Sequence, residues 1–188
     1  MLELALHILD IAENSVRAGA KTIFIDIVEN RGKDQLLIEI RDDGAGMDPT
    51  TLQKAMDPFY TSKKVRRVGL GLPMLAEAAE RTGGSFTIES REGAGTRVAV
   101  SFRLGHIDRQ PLGDLTGALM VLIAGNAGVD FVCRHECEGE VFMLDTREIR
   151  NEIGEIPINH PEVMKFIRQH IVEGLGRIRT EAKKLLSS

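Results

Sequence analysis

The sequence is short of cysteine, of long apolar runs and of basic excess, and each shortage removes a class of protein. Its 188 residues hold two cysteines, Cys133 and Cys137. That number excludes a disulfide framework and fits a reducing cytoplasm. The longest apolar stretch, Ala118 to Ala124, falls far short of the roughly 20 residues a bilayer-spanning helix needs, and no membrane association is expected. The N-terminus lacks a basic segment and carries Glu3, His7 and Asp10 among its apolar residues, so it does not read as a signal peptide. Lys and Arg number 24 against 28 Asp and Glu, a net charge of -4. This balance argues against non-specific nucleic-acid binding, which draws on a basic surface. No internal repeat or low-complexity tract is present. What is there is ordinary for a globular chain: 43% apolar and 28% charged residues, in a length that holds one generous domain or one domain and a small appendage.

Hydrophobic spacing divides the chain. Residues 2 to about 18 follow a helical stripe through Leu4, Ile8, Ile11 and Ser15, with Gly19 as a left-handed cap. Thr22 to Val28 and Leu36 to Arg41 read as a hairpin around the turn at 30–34. A glycine-containing loop over Asp42 to Pro49 precedes a short helix over Leu52 to Met56, capped by Thr50 or Thr51. Residues 57 to 68 have no period and read as a mobile loop. Leu70 to Arg81 reads as a helix stopped by Gly83-Gly84, and Phe86 to Ser90 with Arg97 to Phe102 as a second hairpin. This order predicts an α+β fold, a two-layer α/β sandwich with helices on one face of a mixed sheet, over residues 1–104. After a boundary at Gly105 to Gly113, residues 105–188 read as a small α+β appendage. It comprises a helix capped by Asp114 and running through Ile123, a hairpin over Val129 to Arg134 and Glu140 to Leu144 turning at Glu138-Gly139, and a last helix opened by Asn159-His160-Pro161. In that helix Gly174 and Gly176 each cost about 1 kcal/mol relative to Ala.

Five polar features punctuate the first hundred residues. Asp10 and Asn14 lie four apart on the first helix and share a face, with His7 on the same side; a carboxylate and an amide there suit a hydrated Mg²⁺. By itself the same pair is equally the polar side of an amphipathic helix. Asp42-Asp43-Gly44-Ala45-Gly46-Met47 follows a strand, so that a carboxylate can accept from an exocyclic amine while the glycines let the backbone pass close to a flat ligand. A plain turn explains that segment almost as well. Asp57 to Lys64 offers the aromatic Phe59, hydroxyls, and Lys63 or Lys64 for phosphate charge. Gly69-Leu70-Gly71-Leu72-Pro73 opens a helix, where exposed N–H groups and the dipole favour anions. Gly95-Thr96, between the last two strands, sets a hydroxyl near the same region.

Taken together and in this order, the features resemble the GHKL (Bergerat) superfamily, which includes gyrase, heat-shock chaperone, mismatch-repair and histidine-kinase proteins. The resemblance covers residues 2 to 104. Pro58 to Lys63 and Gly69 to Pro73 look most like the catalytic domain of sensor histidine kinases, and Glu13 to Ala20 more like the mismatch-repair branch. By position, the resemblance implies ATP and Mg as cofactors. Asn14 matches the Mg²⁺ ligand, Asp42 the adenine-binding aspartate, and Gly44, Gly46 and Met47 the adenine loop. Phe59 and Lys63 fall in the ATP lid, Gly69, Leu70 and Gly71 over the phosphates, and Thr96 beside the base. Asp10 stands where hydrolysing members carry a Glu base, one methylene shorter, while Glu13 points elsewhere on the helix. Arg67-Val68 replaces the usual Gly-Thr before Gly69. No phosphoacceptor helix pair precedes residue 1, so self-phosphorylation on histidine is not expected. The implied activity is transfer of the γ-phosphoryl group to a separate partner protein, as in stand-alone anti-sigma-factor kinases. The alternative is a nucleotide-dependent interaction module that binds a partner or a second copy of itself, with slow or no hydrolysis.

In the C-terminal region Cys133, His135 and Cys137 alternate, so a continuing strand points all three to one face. Thiolates and an imidazole suit zinc or iron if a fourth ligand joins them. The plainer account is two buried cysteines packed as small apolar residues.

Overall fold

The computed structural model describes residues 3–57 and 71–185. The first helix, α1 (Leu4–Arg17), buries Leu4, Ile8, Ile11 and Ser15 along its expected stripe. No side chain caps it. Its first N–H groups instead donate across the fold, Leu4 N to Pro111 O at 2.9 Å and Ala5 N to Leu112 O at 2.8 Å. It ends where Gly19 takes φ +78°, as a left-handed terminator should.

Strands β1 (Thr22–Asn30) and β2 (Gln35–Asp42) pair antiparallel with Ile25 opposite Ile40. The short helix α2 (Pro49–Ala55) starts earlier than the sequence suggests, and neither Thr50 nor Thr51 caps it. Asp48 is the cap, accepting from Thr50 N at 2.9 Å and Thr51 N at 3.1 Å. The reason is Pro49: its fixed φ and missing N–H suit the first helical position, which moves the cap to the residue before it. Helix α3 (Gly71–Arg81) leads to β3 (Ser85–Ser90) and β4 (Thr96–Arg103), as the spacing predicts.

Beyond residue 105 come α4 (Leu115–Gly125), β5 (Asp130–Cys137), β6 (Glu140–Asp145), α5 (Thr146–Ile153) and α6 (Pro161–Leu185). Asp114 caps α4 by accepting from Gly117 N at 2.8 Å. The β5–β6 turn has Glu138 and Gly139 both at positive φ, the two-residue hairpin geometry. Helix α5 is absent from the sequence reading, although Asp145 and Glu148 stand at the N-cap and third helical positions, where capping boxes place such residues.

The strands form one six-stranded sheet in the order β3-β4-β2-β1-β5-β6. All neighbours are antiparallel except β1 and β5, so the sheet is mixed. The two regions divided at 104/105 therefore share one sheet, and one core runs through both: Ile23, Ile25 and Ile27 of β1 cluster with Leu119 of α4, Phe131 of β5 and Ile167 of α6. Helices α1, α3, α4 and α6 form the second layer, each in contact with a neighbouring helix or with the sheet. The opposite sheet face carries ion pairs, among them Arg97 with Glu39 at 2.7 Å and Arg134 with Asp26 at 2.9 Å.

Candidate functional site

The site is assembled where β2 ends and the β3–β4 turn folds over it. Asp42, the last residue of β2, is buried at 8% exposure. Its Oδ1 accepts from Gly44 N at 2.9 Å and Thr96 N at 3.3 Å, and its Oδ2 accepts from Ser15 Oγ at 2.6 Å. A carboxylate has about four lone-pair positions. With three of these taken by protein donors, one remains for an outside donor such as an exocyclic amine.

The loop after Asp42 is held on both sides. Ala45 N donates to Ala18 O at 2.9 Å, and Gly93 N donates to Ala45 O at 2.7 Å. Gly46 has φ +64°, and a Cβ there would overlap the Arg91 carbonyl. Gly95 has φ +81°, and a Cβ there would overlap the Asp42 carbonyl. A backbone crossing within the protein itself thus demands glycine at position 46. A Cβ at Gly44 would approach the Ala18 carbonyl and Asp42 Oδ1 to 3.0 Å. Met47 N donates to Ser90 Oγ at 2.9 Å, and Ser90 Oγ lies 2.8 Å from Thr96 Oγ1. The second acid, Asp43, points away and accepts from Lys21 N at 2.7 Å and Thr22 N at 2.9 Å. These backbone donors, Thr22 first, hold its carboxyl below the usual range.

The structure thus gathers Asp42, Gly44, Gly46, Met47 and Thr96, and adds Ser15 and Ser90. Ser15 stands out in the sequence as a hydroxyl at a stripe position of α1, and it is buried at 4% exposure where an apolar residue is the default. On the same helix Asn14 directly precedes Ser15, and Asp10 lies five residues before it. Asn14 is exposed, and its Oδ1 accepts from Arg17 Nη2. The half-buried Asp10 carboxylate lies so close to Gly71 that a Cβ on Gly71 would overlap it. Helix α1 therefore links Asp42, through Ser15, to the start of α3, through Asp10. Phe59, Lys63, Gly69 and Leu70 lie outside the described residues.

The second cluster is not gathered as a metal centre. Cys133, His135 and Cys137 share the core face of β5 and are buried, but His135 Nε2 lies 2.8 Å from Glu29 Oε1. Among the described residues no group of three His, Cys, Asp or Glu side chains is arranged to hold a metal ion. Burial pushes the Cys133 thiol up to about 12 and also raises Cys137. His135 holds the Glu29 carboxyl below its usual range.

A two-layer sandwich with a buried strand-end aspartate, a glycine loop locked behind it and a threonine from the β3–β4 hairpin beside it is the Bergerat arrangement. Residues 2–106 match the model of the histidine kinase-, DNA gyrase B- and HSP90-like ATPases, and the chain belongs to this family as an ATP-binding domain related to histidine-kinase and MutL-type ATPases. It is 41% identical to sporulation kinase E of Bacillus subtilis over 64 residues, 34% of this chain and 8% of the kinase. It is 39% identical to the DNA mismatch repair protein MutL of Clostridium acetobutylicum over 95 residues, 45% of this chain and 15% of that protein. The chain thus spans a small part of these relatives. The solved Aquifex aeolicus MutL ATPase domain complexed with ADP superposes with a TM-score of 0.53 over 90% of this chain and 88% of that one, at 15% identity. That likeness is one of fold, and 90% of the chain is more than residues 2–106 contain, so the common fold reaches into the C-terminal third. Among the described residues no helix is long and apolar enough to cross a membrane.

Proposed function

We propose that the protein binds Mg-ATP in the pocket closed by Asp42 and transfers the γ-phosphoryl group to a separate partner protein in the cytoplasm. The observation that carries the nucleotide half is the Asp42 carboxylate, fixed by Ser15, Gly44 and Thr96 with one acceptor position left over. In this reading the adenine amino group donates to Asp42, and the base lies along Gly44, Gly46 and Met47 beside Thr96. The phosphates would extend along α1 toward Gly71. Asn14 would hold the Mg²⁺ once its amide leaves Arg17, the ion would supply charge neutralisation at the phosphates, and Asp10 would orient the attacking group or accept its proton.

Supporting the kinase branch is the sequence similarity to sporulation kinase E. A second reading is favoured by one feature of the site. Asp10 is shorter than Glu and already packs against Gly71, which leaves little reach toward a water. On that reading the chain is a nucleotide-dependent interaction module that engages a partner or a second copy of itself and turns over slowly or not at all.

Two measurements decide. Asp42→Asn replaces an acceptor-only carboxylate with an amide that must turn an NH₂ toward Ser15 or toward the Gly44 and Thr96 donors. The expected outcome is loss of measurable ATP binding by calorimetry; unchanged affinity sinks the site assignment. Incubation with γ-labelled ATP, alone and with cell extract, then separates the readings. Label on a second protein supports the kinase, label only in free phosphate indicates an ATPase, and no turnover favours the module.

A further inference from the structure

His7 is a buried polar residue that the site just described does not use. It lies one turn before Asp10 on α1 and is 2% exposed. Both ring nitrogens are buried without a hydrogen-bond partner among the described residues, and the Gln110 side chain and the Gly71 backbone are polar groups that act on the ring. The ring otherwise borders a small apolar void lined by Ile8, Ile11, Ile40, Leu75 and Val98. An aliphatic side chain would fill this space without burying two under-used nitrogens, so packing alone gives no reason for an imidazole.

The position of Gly71 does. The start of α3 rests on two α1 side chains three residues apart: the Asp10 carboxylate, which lies where a Gly71 Cβ would be, and the His7 ring beside the Gly71 backbone. Eight residues further along the same helix, Ser15 grips Asp42. One helix therefore carries both the serine that grips Asp42 and the side chains that face α3, Asp10 against Gly71 and His7 across the void from Leu75. We propose that His7 is a positioning residue for the phosphate end of the pocket, acting through Gly71. This rests on the nucleotide reading above. Burial also keeps the ring neutral by lowering its pKa, which leaves it one donor and one acceptor for Gln110 and the Gly71 backbone.

The test compares His7→Leu with His7→Gln, reading ATP affinity by calorimetry, adenosine binding by ligand-observed NMR, and the thermal midpoint. Leu fills the apolar space, so the fold and adenosine binding are retained, while ATP affinity falls about tenfold. Gln keeps a side-chain N–H and restores most of that loss. Should His7→Leu fail to fold, His7→Met, whose unbranched chain adapts to the same space, carries the same comparison. ATP affinity equal to the unaltered protein's overturns the proposal, as does an equal loss of ATP and adenosine, which marks a merely structural residue. If the unaltered protein binds neither ligand, the nucleotide reading falls and this inference with it, a result distinct from either outcome in the variants.

Discussion

Single side chains in this protein are tuned by who donates to them. Asp42 accepts from Ser15 Oγ at 2.6 Å, and that hydroxyl also reaches Ile11 O at 3.3 Å, so one serine ties a helix turn to the site carboxylate. Ser15→Ala removes a hydrogen bond to a charged group, worth about 1.5–3 kcal/mol. The expected result is a loss of this order in denaturant unfolding, with nucleotide affinity weakened several-fold rather than abolished; unchanged stability contradicts the assigned bond. His7 makes a pH prediction. Burial lowers its folded-state pKa below about 6.5, its value in an unfolded chain. Its contribution to stability is then complete above pH of about 6.5 and is lost as the pH falls through the depressed folded value. His7→Leu should therefore lose less stability than the unaltered protein between neutral pH and about pH 5, as read by thermal midpoints; parallel curves refute the shift.

At the scale of elements, context reverses what propensity suggests. Gly174 and Gly176 both look like weak points of the last helix. In the fold, a Cβ on Gly174 would strike the Phe142 ring, whereas nothing lies within 4 Å of one on Gly176. Gly176→Ala should stabilise by about 0.5–1 kcal/mol through helix propensity. Gly174→Ala should destabilise by about 1–3 kcal/mol, since overpacking at Phe142 outweighs the same gain. Opposite signs in paired unfolding curves are the expected outcome. Capping shows the same dependence on context. Asp114 caps α4 as its sequence announces, but α1 has no side-chain cap and takes its N-terminal acceptors from Pro111 and Leu112, about a hundred residues away, a solution no local pattern reveals.

At the scale of the molecule, the register of β5 matters most. It lies parallel to β1, with Ile23 opposite Phe131 and Ile25 opposite Cys133, and so places the C-terminal third inside the sheet that carries the pocket. Removing residues 107–188 would leave β1 as a bare edge and strip Leu119, Phe131, Ile167 and Ile171 from the common core. Residues 1–106 alone are expected to lack a cooperative thermal transition and to aggregate, because long apolar edges invite pairing. A sharp melt from that fragment would show that residues 1–106 fold without the C-terminal region.

The sequence by itself determined the local matters: where α1, the two N-terminal strands and the second hairpin lie, the Asp114 cap, the Glu138-Gly139 turn, and the motifs around Asp42, Gly44, Gly46 and Thr96 that carry the family resemblance. These follow from periodicity and short-range turn chemistry, which act over a few residues. Only the tertiary structure decided that Ser15 and Ser90 belong to the site and that Gly46 and Gly95 answer to crossing backbones. It also decided that Cys133, His135 and Cys137 are core residues, with His135 turned to Glu29, and that the presumed appendage extends the same sheet. Each of these depends on partners 5 to more than 100 positions apart, brought together by burial of apolar surface, which no local pattern encodes.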